Sequence, residues 1–243
     1  LYLPMIGFGQ SWERFISLSD SNTYSSCYGE QTQDGGYIIT GSVSNSPTSL
    51  GSQNENLFLL KLDYQGDTLW SKMYPNINGT TVGGFVKQTF DSGYIVTANE
   101  EAYLDSMNYP LIIKTNSFGD TLWTRCFDWI NYEDFAMYEI EQTADSGFIF
   151  RFNGHLIKTD TQCDTLWTKN YEGLGVTLGA RTISQTTDGG YILIHNAVFT
   201  LFPLIQEAYL TKLNSQGDTL WNKIFNSDSI LGVTSVEQTT DGG

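Results

Sequence analysis

The feature that most constrains this 243-residue chain is an internal repeat of two alternating phrases. The phrase Lys-x-(Asp/Asn)-x-x-(Gly/Cys)-Asp-Thr-Leu-Trp occurs over 61–70, 114–123, 158–167 and 212–221, and a degenerate copy lies at 9–12. The phrase Gln-Thr-x-Asp-(Gly/Ser)-Gly-(Tyr/Phe)-Ile starts at Gln31, Gln88, Gln142 and Gln185, and its opening recurs from Gln238. The repeated tryptophans are 58, 53, 44 and 54 residues apart. Such a period indicates one supersecondary unit repeated along the chain.

Each unit is predicted to form four short antiparallel strands. A run after the tryptophan, such as 70–74, fits a first strand, and a second strand ends at Gln-Thr. Asp-(Gly/Ser)-Gly then supplies the positive-φ positions of a tight turn. The third strand, as in 36–40, is nearly continuous in apolar residues, which suits a strand covered on both faces, and the fourth, as in 57–62, leads into a second hairpin. In the third unit, only Asn153-Gly154 separates the third and fourth strands, which predicts a two-residue type I′ turn.

These strands predict an all-β fold, a β-propeller of four-stranded antiparallel blades with about 50 residues per repeat. The predicted single domain covers 1–243, with units of approximately 12–69, 70–122, 123–166, 167–220 and a partial unit, 221–243. Helical repeats are excluded because the apolar residues recur at a spacing of two. A parallel β-solenoid would use shorter coils and is the weaker alternative. Because the sequence stops inside a hairpin phrase, we expect an incomplete fragment of a propeller.

The repeated side chains have structural interpretations. One tryptophan per unit is expected to fill the wedge between neighbouring blades. These are Trp12, Trp70, Trp123, Trp167 and Trp221. The lysine that opens each first phrase is expected to pair across the hairpin with the aspartate of the same phrase, or that aspartate to fix the turn. These aspartates are Asp67, Asp120, Asp164 and Asp218. The turn has too few oxygens for an EF-hand, so we expect no metal site and no cofactor, with Ca²⁺ as a minor alternative.

Composition excludes several classes of protein. With 12 basic and 27 acidic residues the formal charge is −15, which argues against a nucleic-acid binder. The three cysteines lie far apart, so neither a zinc site nor a disulfide framework is indicated. No run approaches the roughly 20 apolar residues of a membrane span. The apolar start lacks a basic region, so we interpret it as a mature or trimmed end, not a signal peptide.

The two phrases together resemble the propeller repeats of secreted and surface proteins from Bacteroidota bacteria. Their Asp-x-x-Gly-x-x-x-Trp core is also similar to the tryptophan-docking motif of quinoprotein-like propellers. The resemblance covers nearly the whole chain and implies a secreted or cell-surface protein, a type IX secretion cargo within a longer chain that ends in a C-terminal sorting domain. The vicinal Cys-Cys expected of a quinoprotein dehydrogenase is missing.

The same resemblance implies a modification. Asp-(Ser/Thr)-aliphatic is similar to the acceptor of Bacteroidota O-glycosylation. The candidates are Thr68, Thr121, Thr165, Thr219, Ser106 and Ser229. The alternative, which we favour for the four repeated threonines, is a strand residue that follows a turn.

A candidate binding site follows from the connections between strands. The short, repetitive turns lie on one face of a propeller, and the long connections, which differ in every unit, lie on the other, where binding residues are expected. Two of the long connections gather carboxylates and aromatic rings that suit a sugar or a calcium ion. These residues are Glu100, Glu101, Tyr103, Asp105, Asp128, Trp129, Tyr132, Glu133 and Asp134. The alternative is ordinary solvated acidity with aromatic rings packed against outer strands.

Catalysis has little support in the sequence. The two histidines, His155 and His195, form no recognisable nucleophile arrangement, and the common hydrolase, metalloprotease and phosphate-binding motifs are missing. We therefore expect a non-catalytic extracellular propeller, a binding, adhesion or scaffold module whose partner is an extracellular protein or glycan. The alternative is a carbohydrate-active propeller enzyme, because a pair of catalytic carboxylates leaves no spacing to find.

Overall fold

The structure, a computed structural model, describes residues 5–7, 10–12, 23–44, 55–75, 79–102, 108–127, 139–152, 155–170, 183–201, 204–226, 235–239 and 241–242. These residues form strands, turns and connecting segments, and none of them lies in a helix. The predicted all-β fold of repeated four-stranded antiparallel sheets is confirmed, and these sheets are of the kind that forms propeller blades.

Four sheets of four strands each follow one another along the chain. The first contains β3 (Thr23–Gln31), β4 (Tyr37–Ser44), β5 (Glu55–Leu62) and β6 (Thr68–Tyr74). The second contains β7 (Gly79–Gln88), β8 (Tyr94–Ala102), β9 (Asn108–Thr115) and β10 (Thr121–Cys126). The third contains β11 (Ile140–Gln142), β12 (Phe148–Phe152), β13 (His155–Thr159) and β14 (Thr165–Asn170). The fourth contains β15 (Ile183–Gln185), β16 (Tyr191–Leu201), β17 (Leu204–Leu213) and β18 (Thr219–Asn226). Before them, β1 (Met5–Gly7) pairs with β2 (Gln10–Trp12).

The order of strands within a sheet differs from the predicted one. The tryptophan strand, expected to open a unit, is hydrogen-bonded to the strand before it and closes the preceding sheet, as β6 does beside β5. The reason is the short hairpin between them, in which Asp63 N–H donates to Asp67 O over 3.0 Å. Two strands joined by so short a connection pair with each other as an antiparallel hairpin.

Both kinds of short turn use the left-handed backbone region. In the Asp-(Gly/Ser)-Gly turns the first of the two small residues has a positive φ, from 62° at Ser92 to 89° at Gly242. In the second hairpins the same conformation occurs at Gly66, Gly119 and Gly217, and at Cys163 with a φ of 65°. In the third sheet Phe152 pairs with His155, which leaves the predicted two residues for the connection; the conformation of that turn lies outside the described residues.

The chain divides into two compact units, Leu1–Phe135 and Ala136–Gly243. The first unit contains the first two four-stranded sheets, and the second unit contains the other two. That residues 1–243 form a single domain stays a prediction.

Each unit has a core made by the facing sides of its two sheets. The strand that follows the Asp-Gly-Gly turn is covered on both faces, as predicted, because every residue of β4 is buried. In the first unit the core includes Ile38, Leu57, Leu59, Val86, Tyr94, Val96, Ala98, Leu111 and Ile113. In the second unit it includes Ile149, Leu156, Ile183, Tyr191, Leu193 and Leu213. The sheets are therefore fixed by side-chain packing, and their turns and loops are presented at their two ends.

Candidate functional site

A network of charged and polar side chains recurs at one end of the sheets. This end, which we call the turn end, carries the Asp-(Gly/Ser)-Gly turns and the second hairpins. In the first sheet, Lys61 Nζ lies 2.9 Å from an oxygen of Asp34 and also donates to Leu62 O over 2.9 Å. The Asp34 carboxylate accepts hydrogen bonds from Thr32 Oγ1 over 2.5 Å and from Gly36 N–H over 3.0 Å. The lysine side chain is 4% exposed and the aspartate 56%. An ammonium removed from water in this way needs its partners, so the network has a structural role.

The other three sheets repeat this network. The corresponding pairs are Lys114 with Asp91, Lys158 with Asp145 and Lys212 with Asp188, each with a distance of 2.9 Å. We call these four lysines, with their aspartates and the threonines two residues before the aspartates, the Thr-Asp-Lys networks.

The structure corrects the predicted pairing of these lysines. Lys61 was expected to reach Asp67, in its own phrase, but it reaches Asp34, in the other phrase. The side chain passes over Gly36, where a Cβ atom would lie 2.6 Å from Nζ, so the missing side chain of the glycine leaves the route to Asp34 open. The second hairpin is fixed by a different carboxylate, because Asp63 Oδ1 accepts the N–H groups of Gln65 and Asp67 over 2.8 and 2.9 Å.

Two of the predicted aspartates instead join neighbouring sheets within a unit. Asp120 accepts a hydrogen bond from Lys72, in the sheet before it, and Asp218 lies 2.7 Å from Lys169. All four hairpin aspartates, Asp67, Asp120, Asp164 and Asp218, are exposed. The signal for these contacts is present in the sequence, since a basic residue follows each repeated tryptophan by two positions in the four full copies.

The Thr-Asp-Lys networks hold their carboxylates ionised. The hydrogen bond from Thr32, followed by Lys61, lowers the pKa of Asp34 to about 2 against the opposing effect of burial. The pKa of Asp188 is lowered by hydrogen bonds from Lys212, Thr186 and the Gly190 N–H group. Carboxylates with such pKa values cannot donate a proton near neutral pH, so these residues are unsuited to general acid catalysis.

The repeated tryptophans contact the next sheet in two described cases. Trp70 packs edge-to-face against Tyr94 with a centroid distance of 5.9 Å, and its ring covers Gly119, where a Cβ atom would lie 2.8 Å from it. Trp167 has the same relation to Tyr191, at 6.1 Å, and to Gly217. Trp123 is half-buried with Arg125 5.9 Å from its ring, and Trp221 is 41% exposed. Trp12 lies in β2, but its side chain is outside the described residues.

A cleft of about 420 Å³ lies between the first and second sheets at this end. Its lining is aromatic and polar. The residues are Gln33, Asp34, Lys61, Leu69, Trp70, Gln88, Ser92, Tyr94, Ser117 and Phe118. Burial, and then the charge of Asp34, raises the pKa of Tyr94 to about 12, so its phenol stays protonated. The charged groups that line the cleft, Asp34 and Lys61, belong to the first Thr-Asp-Lys network and pair with each other. The cleft therefore offers a surface for contact with a ligand and not a group for proton transfer.

Most of the predicted ligand-binding residues fall outside the described part of the chain. Glu100 and Glu101 lie in β8, where they pair with Tyr109 and Asn108 of β9. Their position is at the end of the sheet opposite to the turns, as the connectivity requires. The remaining seven, Tyr103, Asp105, Asp128, Trp129, Tyr132, Glu133 and Asp134, lie outside the described residues. The structure therefore does not test whether this cluster forms.

The candidate glycosylation sites are placed in part. Thr68, Thr121, Thr165 and Thr219 are all exposed, each at the first position of the fourth strand of its sheet. Ser106 and Ser229 lie outside the described residues.

Comparison with known proteins gives no family. No family model matches the chain, and no curated protein is significantly similar to it. Among the described residues no helix is long and apolar enough to cross a membrane. In the same residues no three His, Cys, Asp or Glu side chains are grouped so that they could hold a metal ion.

Proposed function

We propose that this chain is a non-catalytic extracellular module that binds a glycan or a protein through the loops opposite to its Asp-(Gly/Ser)-Gly turns. One observation carries the proposal: the repeated polar residues at the turn end are engaged in the Thr-Asp-Lys networks, which are structural. The connections at the other end differ in length and sequence from unit to unit. Binding residues in proteins lie preferentially on variable loops held by a rigid scaffold.

The proposed ligand contacts are the acidic and aromatic residues of two connections. The connection between β8 and β9 contains Tyr103 and Asp105, and the one between β10 and β11 contains Trp129 and Glu133. A flat ring next to carboxylates suits the apolar face and the hydroxyl groups of a sugar, a basic segment of a protein, or a calcium ion that bridges to the ligand. Trp129 is the tryptophan that the repeat does not account for, so packing between sheets gives no reason for its presence.

The location and processing of the protein are part of the same proposal. The repeat phrases resemble those of Bacteroidota surface proteins, which supports secretion by the type IX route within a longer chain that carries a sorting domain. The exposure of the four repeated Asp-Thr-Leu threonines is compatible with O-glycosylation. Mass spectrometry of protein from its native source tests this part, and unmodified peptides across all six candidate sites would eliminate it.

Binding is tested with a glycan array and a panel of cell-surface proteins, each with and without calcium. We expect a ligand for the parent protein and a loss of about tenfold or more in affinity in Trp129→Ala, the size typical of an aromatic residue at the centre of a binding site. Tyr64→Ala is the matched control, because Tyr64 is an aromatic side chain with 66% exposure on a hairpin at the turn end.

Two results contradict the proposal. If no glycan or protein binds the parent, or if both variants lose affinity equally, the loop surface is not the binding site. Release of reducing ends from a polysaccharide, abolished in a carboxylate variant such as Glu133→Gln, would replace the proposal by the alternative of a carbohydrate-active enzyme.

A further inference from the structure

The fourth sheet carries an exposed apolar face on its last strand. Trp221 is 41% exposed, while the equivalent Trp70 and Trp167 are half-buried. On the same side of this strand, Phe225 is 47% exposed, while its equivalent in the first sheet, Tyr74, is half-buried. Exposed apolar side chains gathered in this way mark a surface that contacts something else. We call this surface the Trp221 face.

Trp70 and Trp167 show what covers such a face. The ring of Trp167 is enclosed by two residues of the following sheet, Tyr191 and the hairpin glycine Gly217. A Cβ atom at Gly217 would lie 2.8 Å from the ring, so the contact requires glycine. Trp70 is covered in the same way by Tyr94 and Gly119.

A basic residue beside each tryptophan gives a second, independent indication. Lys72 and Lys169, two residues after their tryptophans, pair with the aspartate that follows the covering glycine, Asp120 and Asp218 respectively. The equivalent Lys223 has no carboxylate partner among the described residues and lies 5.7 Å from the centre of the Trp221 ring. The Trp221 face therefore has the two groups that bind a following sheet at the other interfaces. They are an indole, which covers a glycine, and an ammonium, which pairs with an aspartate.

The turn that begins at Gln238 already occupies the position of a following sheet. Thr187 N–H donates to Gln238 Oε1 over 2.8 Å. The two established interfaces have the same bond, from Gln33 N–H to Gln88 Oε1 over 2.7 Å and from Ala144 N–H to Gln185 Oε1 over 2.8 Å. The covering tyrosines, Tyr94 and Tyr191, each come six residues after that glutamine. The strand that continues from the Gln238 turn is therefore directed to Trp221.

We propose that the Trp221 face is the docking surface for a fifth sheet of this repeat, formed in continuation of the Gln238 turn. The sheet contributes a tyrosine or phenylalanine after Asp-Gly-Gly, which packs against the indole, and a Gly-Asp hairpin, whose glycine covers the ring and whose aspartate binds Lys223. A second copy of the chain fits less well, because its own first turn would have to take the position that Gln238 holds on the fourth sheet.

The test extends the chain with its own sequence. Gly243 corresponds to Gly190, so a copy of residues 191–226 is fused directly after Gly243, with the change Trp221→Phe made in the copy alone to keep the number of tryptophans constant. Acrylamide quenching of Trp221 is obtained as the difference between proteins with and without Trp221→Phe in the original strand. We expect the quenching of Trp221 in the extended protein to fall to the level of Trp70 and Trp167, with its emission shifted to shorter wavelength.

The matched control carries Gly217→Val in the copy, which places a side chain where the indole should lie. In this control Trp221 is expected to stay as accessible as in the parent. Hydrogen exchange reports separately whether the added strands fold. The proposal is overturned if Trp221 remains accessible in the extended protein, whether or not the added strands are protected, or if the Gly217→Val copy shields it equally well.

Discussion

The last glycine of the Asp-(Gly/Ser)-Gly turn is the residue of that turn whose replacement we expect to lower the free energy of unfolding most. At Gly93, a Cβ atom would lie 2.2 Å from the carbonyl oxygen of Thr115 and 2.6 Å from Lys114 Nζ. Gly93 is not among the residues with positive φ, so contact, and not backbone strain, excludes a side chain. The perturbation to test is therefore Gly93→Ala.

The expected loss can be worked out from these contacts. The added methyl group pushes β9 away from the turn, which costs roughly 1–3 kcal/mol as overpacking. The displaced Thr115 oxygen accepts a hydrogen bond from the buried ammonium of Lys114 over 2.9 Å, and a hydrogen bond to a charged group is worth roughly 1.5–3 kcal/mol. We expect Gly93→Ala to lower the free energy of unfolding by about 3–5 kcal/mol.

The assay is urea denaturation followed by tryptophan fluorescence and far-ultraviolet circular dichroism. Ser92→Gly is the matched control in the same turn, because Ser92 has a φ of 62° and three other copies carry glycine there. Removing the left-handed strain of a non-glycine residue should raise the free energy of unfolding by about 0.5–1 kcal/mol. The steric reasoning is refuted if Gly93→Ala lowers the free energy of unfolding by less than about 1 kcal/mol, or if Ser92→Gly lowers it by more than Gly93→Ala does.

Three further predictions concern charge, pH and packing. Asp91→Asn leaves a lysine with 7% exposure without its counter-ion and should lower the free energy of unfolding by about 2 kcal/mol. The exposed Asp120→Asn should lower it clearly less, and equal losses in urea denaturation would contradict this. The pKa of Asp34 in the folded protein, about 2, lies below its ordinary value of 3.8, so the stabilisation of the fold by this carboxylate is complete above 3.8 and is lost as pH falls from about 4 towards 2. Asp34→Asn should therefore flatten the plot of the free energy of unfolding against pH in that window. An unchanged slope would show that the aspartate is not involved. Trp70→Ala should cost about 3–5 kcal/mol and Trp221→Ala clearly less, since only Trp70 packs on a following sheet; calorimetric unfolding of both variants decides, and a reversed order would contradict the docking contact.

Much of the architecture could be predicted because the information is local. The spacing of apolar residues by two, the Asp-Gly-Gly turns and the recurrence of both phrases led to four-stranded sheets. The strand order was wrong by one position. The hairpin within 61–70 was predicted, but its tryptophan strand was assigned to the following unit, whereas β6 closes the sheet of β5, the strand with which it pairs.

The polar contacts could not be predicted to the same extent. Lys61 has candidate partners in both phrases, and the choice of Asp34 over Asp67 depends on the open path over Gly36. The ligand-binding cluster around Trp129 stays a prediction, because it depends on how long, unrepeated connections fold.

The sequence by itself determined the kind of unit, its length and its number of strands, because hydrophobic period and turn chemistry act between residues close together in the chain. The tertiary structure decided which carboxylate each buried lysine binds and which glycine each indole covers. Those choices are made between residues 13 to 50 positions apart, as in Lys158 with Asp145 and Trp167 with Gly217. They depend on the packing of strands and sheets against one another. At Gly36, for example, the missing side chain leaves room for Lys61 to reach Asp34.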